Sequence, residues 1–131
     1  MSLEQLSALP DEAAIEAVKR GLPTRLLRQF SERVGVPLEA LATPLQMTAR
    51  ALQRRIQEGT LGQGESERLL AMIRLFFQAV RVLGEETKAV RWLQSRPPLL
   101  LGHTPLESMD TWLGIRSIET ILGRIEGGVY S

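Results

Sequence analysis

Apolar residues recur at helical spacing in short stretches, and glycine or proline separates each stretch from the next. Positions three and four apart lie on one face of a helix, so each stretch predicts an amphipathic helix. The predicted helices cover residues 10–20, 23–34, 37–43, 48–58, 65–83, 85–94 and 104–109, with a last one from 110 or 111 to about 126. No pair of strands is indicated. The predicted fold class is therefore all-α, a bundle of several helices.

The longest predicted helix, residues 65–83, is apolar over an unusually wide part of its circumference. Its apolar positions are Leu69, Met72, Ile73, Phe76, Phe77, Val80 and Leu83. A helix of this kind lies at the centre of a core or in the seam of a dimer. We therefore expect this helix to have apolar area to spare for a homodimer.

Composition supports the helical prediction and excludes several kinds of chemistry. Of the 131 residues, 22 are leucine and only 5% are aromatic, a balance that favours helices over sheets. Cysteine is absent, which excludes disulfides, thiolate metal sites and a cysteine nucleophile. With a single histidine, one chain cannot form a two-histidine metal site. No metal, cofactor or catalytic residue is predicted.

The N-terminal residues have no positive segment and no long apolar run, so they do not resemble a signal peptide. No stretch approaches the roughly 18 apolar residues that indicate a membrane-spanning helix. These features predict a soluble protein with no membrane partner and a cytoplasmic location.

The net charge of +1 conceals an uneven distribution along the chain. Residues 24–63 carry six bases and three acids, and residues 64–96 carry six bases and four acids. Residues 1–23 and 97–131 each carry four acids and two bases. A basic middle indicates either an anionic partner or an ordinary solvated helix surface.

Two of the short predicted helices, 37–43 and 48–58, are joined by a four-residue connection of the length found in a helix-turn-helix. In that motif the second helix enters the DNA major groove, where arginine pairs with guanine and glutamine with adenine. The alternative is a small bundle with a polar outer face. The candidate DNA-binding residues are Thr48, Ala49, Arg50, Gln53, Arg54 and Arg55.

His103 is a candidate general base, with Glu107, Ser108 or Asp110 as its partner. No nucleophile elbow, phosphate loop or pair of carboxylates on an apolar face accompanies it. A loop histidine beside a capping box is the simpler interpretation, and the chain is not predicted to be an enzyme.

The chain ends with two glycines, an apolar residue, an aromatic residue and a terminal carboxylate. Chain ends are usually frayed. Here, however, an apolar helix runs almost to the end, and tyrosine supplies contact area with little loss of rotamer entropy. The segment is therefore a candidate for insertion into a pocket of a partner protein.

Three segments resemble the C-terminal toxin-binding domain of the Xre/MbcA/ParS-type antitoxins. They are Gly102-His103-Thr104-Pro105-Leu106-Glu107, Met109-Asp110-Thr111, and Leu122 to Ser131, which reads LGRIEGGVYS. Residues 48–59 are similar to the recognition helix of the same family's Xre-like domain. Gln46 stands where the family usually has glycine in the turn, and Gly127 where histidine is frequent.

This resemblance implies an Xre-like helix-turn-helix domain at 22–84 and a toxin-binding domain at 85–131, after a variable N-terminal helix at 1–21. It also implies the antitoxin of a type II pair, whose usual partner is a RES-domain toxin that depletes NAD⁺. The toxin-binding role would fall on Arg124, Glu126, Gly127, Gly128, Val129, Tyr130 and Ser131. The second expected partner is the operator DNA of its own promoter. A stand-alone Xre-family regulator without a toxin partner is the alternative.

Overall fold

The computed structural model describes residues 1–128, and this part of the chain is built of helices and turns. Its α-helices are α1 (Leu3–Ser7), α2 (Asp11–Arg20), α3 (Thr24–Val34), α4 (Ala49–Glu58), α5 (Gln63–Leu83), α6 (Glu86–Leu93) and α7 (Trp112–Glu126). Three short 3₁₀ helices lie at Leu38–Leu41, Pro98–Leu100 and Glu107–Asp110. The predicted all-α class is confirmed.

Two segments predicted as short α-helices form 3₁₀ helices instead, at Leu38–Leu41 and Glu107–Asp110. The first lies between two prolines, and the residue before a proline disfavours helical backbone angles. It is closed by tight backbone bonds, such as the one from the Ala40 N–H to the Pro37 carbonyl at 2.9 Å. Short 3₁₀ turns of this kind commonly serve as connectors.

The N-terminal segment contains a helix that the apolar pattern did not indicate, α1. The Ser2 and Gln5 side chains form a capping box at its start, and Leu3 and Leu6 are buried in the core. Arg33 on α3 ties α1 to α6 by donating to Glu4 at 2.7 Å and to Glu86 at 3.0 Å. The bond from Arg33 lowers the pKa of the Glu4 carboxyl. Residues 1–20 are therefore part of the packed structure.

Helix α5 is the centre of the core, and residues from every other α-helix pack in the same cluster. Its residues Leu69, Met72, Ile73 and Phe76 are completely buried, and the Phe76 ring meets Phe30 edge to face at 6.1 Å. The wide apolar stripe is thus largely covered by the chain's own helices. Phe77, Val80 and Leu83, in the C-terminal part of the stripe, are only half-buried.

The structure also bears on the membrane prediction. Among residues 1–128, no helix combines the length and the apolar character needed to cross a bilayer.

Candidate functional site

Helix α4 presents a polar face to solvent. Arg50, Gln53, Arg54 and Gln57 are exposed and follow the i, i+3, i+4, i+7 spacing of one helix face. Thr48 and Ala49, at the start of the helix, are exposed as well. Five of the six predicted DNA-binding residues therefore lie on accessible surface. Gln57 was missed, although its spacing from Arg50 and Gln53 in the sequence was enough to include it.

The start of α4 is fixed by a cap and by one buried side chain. The Thr48 Oγ1 accepts a hydrogen bond from the Ala51 N–H at 3.0 Å, which satisfies one of the free donors of the first turn. Leu52, on the opposite face from Arg54, is buried in the core. The Thr48 hydroxyl therefore acts first as a helix cap.

The end of α4 is held by backbone contacts with the α2–α3 connection. The Gly59 carbonyl accepts from the Thr24 N–H at 3.0 Å, and the Leu61 N–H donates to the Leu22 carbonyl at 2.9 Å. Gly21 is needed in this connection, because a Cβ there would collide with the Leu61 carbonyl and its φ is +92°. The C-terminal end of α4 is thus fixed relative to α2 and α3.

Arg55 differs from the other predicted DNA-binding residues. Its guanidinium is half-buried and donates to Glu65 on α5 at 2.9 Å and to Glu58 at 3.1 Å. These bonds, that to Glu65 first, raise the pKa of Arg55 above its usual value. In this arrangement Arg55 joins α4 to α5. The sequence pattern grouped it with Arg54, and only the fold brings Glu65 beside it.

The turn that leads into α4 contains Gln46 in a left-handed conformation, with φ +57°. This explains why glycine suits the position, since most side chains are strained there. The Gln46 amide nitrogen donates to the Asp110 carbonyl at 2.6 Å, and Arg68 donates to the same oxygen at 3.2 Å. The turn is thereby bonded to the residue that precedes the cap of α7.

The residues before α7 form the predicted capping box. The Glu107 N–H donates to the Thr104 Oγ1 at 3.0 Å, and the Thr104 N–H donates back to the Glu107 carboxylate at 3.5 Å. The last helix was predicted to start at residue 110 or 111, and Thr111 caps it by accepting from the Gly114 N–H at 2.9 Å. A Cβ at Gly114 would collide with the Ser108 carbonyl, so α7 packs closely on this segment.

The described part of the predicted toxin-binding segment lies at the C-terminal end of α7. Arg124, Glu126, Gly127 and Gly128 are exposed, and Glu126 pairs with Arg81 at 3.3 Å on open surface. Ile125 is only half-buried because the core ends near Leu122. The predicted residues Val129, Tyr130 and Ser131 lie outside the described residues.

His103 lies beside its predicted partner Glu107, with 3.5 Å between its Nδ1 and a carboxylate oxygen. Both side chains are largely exposed, and Glu107 also approaches Arg96 at 3.7 Å. The Ser108 hydroxyl donates to the Thr104 carbonyl, not to the histidine. Within residues 1–128, no group of three or more His, Asp or Glu side chains is placed to hold a metal ion.

A groove with a volume of about 480 Å³ runs between α2, α5 and α7. Ile15 and Leu70 line it together with Trp112, whose ring lies 4.8 Å below the Arg68 guanidinium. None of the predicted DNA-binding residues, and none of the predicted toxin-binding residues up to Gly128, lines this groove.

Two consecutive parts of the chain match known protein domains. Residues 13–74 match the antitoxin Xre-like helix-turn-helix domain, which contains α4. Residues 78–128 match the antitoxin Xre/MbcA/ParS C-terminal toxin-binding domain, which contains α6 and α7.

Three proteins named Antitoxin Xre are also similar to this chain in sequence. An Antitoxin Xre of Yersinia enterocolitica is 28% identical over 120 residues, which cover 89% of this chain and 80% of that protein. An Antitoxin Xre of Photorhabdus laumondii is 35% identical over 85 residues, which cover 63% of this chain and 57% of the relative. An Antitoxin Xre of Pseudomonas putida is 34% identical over 80 residues, covering 60% of this chain and 50% of the relative. The chain belongs to the Xre antitoxin family, with the family's helix-turn-helix domain followed by its C-terminal toxin-binding domain.

Proposed function

We propose that the chain neutralises a RES-domain toxin that depletes NAD⁺ and that it represses its own operon. The observation that carries the first half is the match of residues 78–128 to a toxin-binding domain, whose last helix ends in exposed residues. The C-terminal segment Arg124, Glu126 and Gly127 to Ser131 would enter the toxin's nucleotide cleft. The protein would act by contact and have no catalytic activity, in the cytoplasm where toxin and operator are both present.

The proposal that the C-terminal segment blocks the toxin is tested by ending the chain after Glu126. Cells that express the neighbouring toxin gene with the full chain should keep their NAD⁺, and cells that express it with the shortened chain should lose it. Helix α7 ends at Glu126, so the shortened chain should melt at the same temperature. Arg91→Ala, an exposed change on α6, is the control and should protect fully. Full protection by the shortened chain would show that the C-terminal segment is not needed to neutralise the toxin.

The DNA-binding half of the proposal rests on the exposed face of α4. Arg50 and Arg54 project into solvent from a helix fixed at both ends, which is the geometry of a recognition helix in the major groove. Arg55 is assigned a positioning role because Glu65 and Glu58 engage its guanidinium. Helix-turn-helix proteins read two half-sites with two copies, so we propose that the chain binds its operator as a homodimer.

Operator binding is measured on DNA from the chain's own promoter at several salt concentrations. Arg50→Ala and Arg54→Ala should each weaken binding about tenfold, the loss typical of one arginine–guanine pair. If either arginine contacts phosphate instead, the salt dependence should fall by about one unit of slope. Arg91→Ala should bind as the unchanged protein does. Unchanged binding by both α4 variants would place the DNA-binding site elsewhere.

The alternative, a stand-alone regulator, predicts operator binding without a toxin partner. Co-purification of the chain with the product of the neighbouring gene decides between the two functions. Sedimentation at low concentration measures whether the free chain is a dimer.

A further inference from the structure

Exposed large apolar side chains are concentrated in the C-terminal region of the described structure. Leu99 is 55% exposed, Leu101 is 87% exposed and Leu113 is 73% exposed. Single exposed leucines are ordinary, whereas several in one region mark an interaction surface. We refer to Leu99, Leu101 and Leu113 as the leucine patch.

Leu101 is exposed to solvent and has a backbone conformation that is unfavourable for leucine. Its φ is +56° and its ψ +40°, a left-handed conformation that glycine or asparagine adopts more easily. The loop around it is fixed by backbone bonds, from the Leu101 N–H to Pro98 at 3.2 Å and from the His103 N–H to Leu100 at 3.0 Å. Because the Leu101 side chain is almost fully exposed, it adds little to folding. A leucine in this position is best explained by a contact outside the chain.

Two members of the patch, Leu99 and Leu101, line a groove with a polar edge. A groove of about 280 Å³ separates the loop from the first turns of α7, with Leu99 and Leu101 on one side and Gly114 and Ser117 on the other. His103 and Glu107 also line this groove. Leu113 precedes Gly114 on α7. An apolar centre with charged groups at its edge is the usual composition of a protein–protein interface.

We propose that the leucine patch is a second docking surface for the toxin, in addition to the C-terminal segment. This inference rests on the proposed function and deepens it. The whole patch lies inside residues 78–128, the part that matches a toxin-binding domain. Helix α7 runs without interruption from Leu113 to Arg124, a span of about 16 Å, so one partner can contact both the patch and the chain end.

The charge of this region indicates what the partner surface is like. Residues 97–131 carry four acids and two bases, which opposes binding of DNA here and favours a partner with basic residues. The toxin surface should therefore offer an apolar ridge that fits between the loop and α7, bordered by lysine or arginine. The toxin is held in this way at both ends of α7, by the patch at the start of the helix and by the segment that follows it.

The test measures the affinity of a catalytically inactive form of the neighbouring toxin for the full chain by calorimetry. Leu101→Ser and Leu113→Ser should each weaken binding at least tenfold, and the double variant should weaken it further. Ile15→Ser is the matched control, because Ile15 is also an exposed large apolar residue, 53% exposed, but lies outside the matched toxin-binding region. All four variants should keep the melting temperature of the unchanged chain.

The outcomes separate this inference from the proposed function. If the unchanged chain binds the toxin and the double variant binds within twofold of it, the patch is not a docking surface and the proposed function stands. An equal loss in Ile15→Ser would also overturn the inference. The same follows if the double variant abolishes a dimer of the free chain without changing toxin affinity. If the unchanged chain binds no RES-domain toxin, the proposed function fails, and the inference fails with it.

Discussion

The outward surfaces of the two matched regions differ in chemistry. The exposed face of α4 consists of arginine and glutamine, and the leucines of that helix and its turn point into the core. The surface formed by the loop 98–103 and the start of α7 instead exposes leucine. Arginine and glutamine suit phosphates and base edges, and leucine suits a protein surface. One short chain therefore has two surfaces that fit two kinds of partner.

The largest expected effect is the loss of stability when a buried leucine is shortened to alanine. The same change at an exposed leucine is the comparison. Leu52→Ala on α4 should lower the free energy of unfolding by about 2–5 kcal/mol, because it leaves a cavity in the core. Leu101→Ala, its control, should change it by less than about 0.5 kcal/mol, as expected for a surface position. Urea unfolding measures both. A large loss at Leu101 would show that its side chain packs in solution and would remove the contrast.

A smaller effect is expected where α7 meets the segment before it. Gly114→Ala should destabilise the chain by about 1–3 kcal/mol, because the added methyl group collides with the Ser108 carbonyl. Gly123→Ala on the same helix meets no atom within 4 Å. Since alanine favours a helix over glycine, that control should stabilise the chain by about 0.5–1 kcal/mol. Thermal unfolding distinguishes the two signs, and equal effects would contradict the close packing.

The smallest of these effects concerns the cap of α4. Thr48→Ala should cost about 1 kcal/mol, the usual loss for a helix cap. Thr87→Ala, at an exposed position inside α6, is the control and should not destabilise the chain. The comparison is made by urea unfolding. A normal stability for Thr48→Ala would mean that the hydroxyl is not needed as a cap, which leaves it free for a phosphate.

Much of the fold could be predicted because glycine and proline mark the helix ends so clearly. Helices α2 to α7 begin and end within about two residues of the predicted bounds. Helix α1 was missed because five residues are too few for a periodic pattern. The two 3₁₀ helices were predicted as α-helices because both have the same apolar spacing over one turn.

The candidate sites could be predicted only in part, for reasons visible at single residues. Arg54 and Arg55 are adjacent and identical in the sequence, yet only Arg55 meets Glu65 across the α4–α5 connection. The run Leu99 to Leu101 reads as one apolar loop, but its middle leucine is buried and its outer two are exposed. Tertiary contacts determine both differences, and a local pattern contains no information about them.

The shared core around α5 has a consequence for the way the molecule unfolds. Met109, Ile118 and Leu122 of the toxin-binding domain pack in the same cluster as Phe30 of the helix-turn-helix domain and as Phe76, which lies on α5 between the two matched regions. A break between residues 74 and 78 would leave apolar faces of both fragments in water. The two matched regions should therefore melt in a single cooperative transition, and neither is a module that can be transplanted alone. The boundary between them is one of function and not of folding.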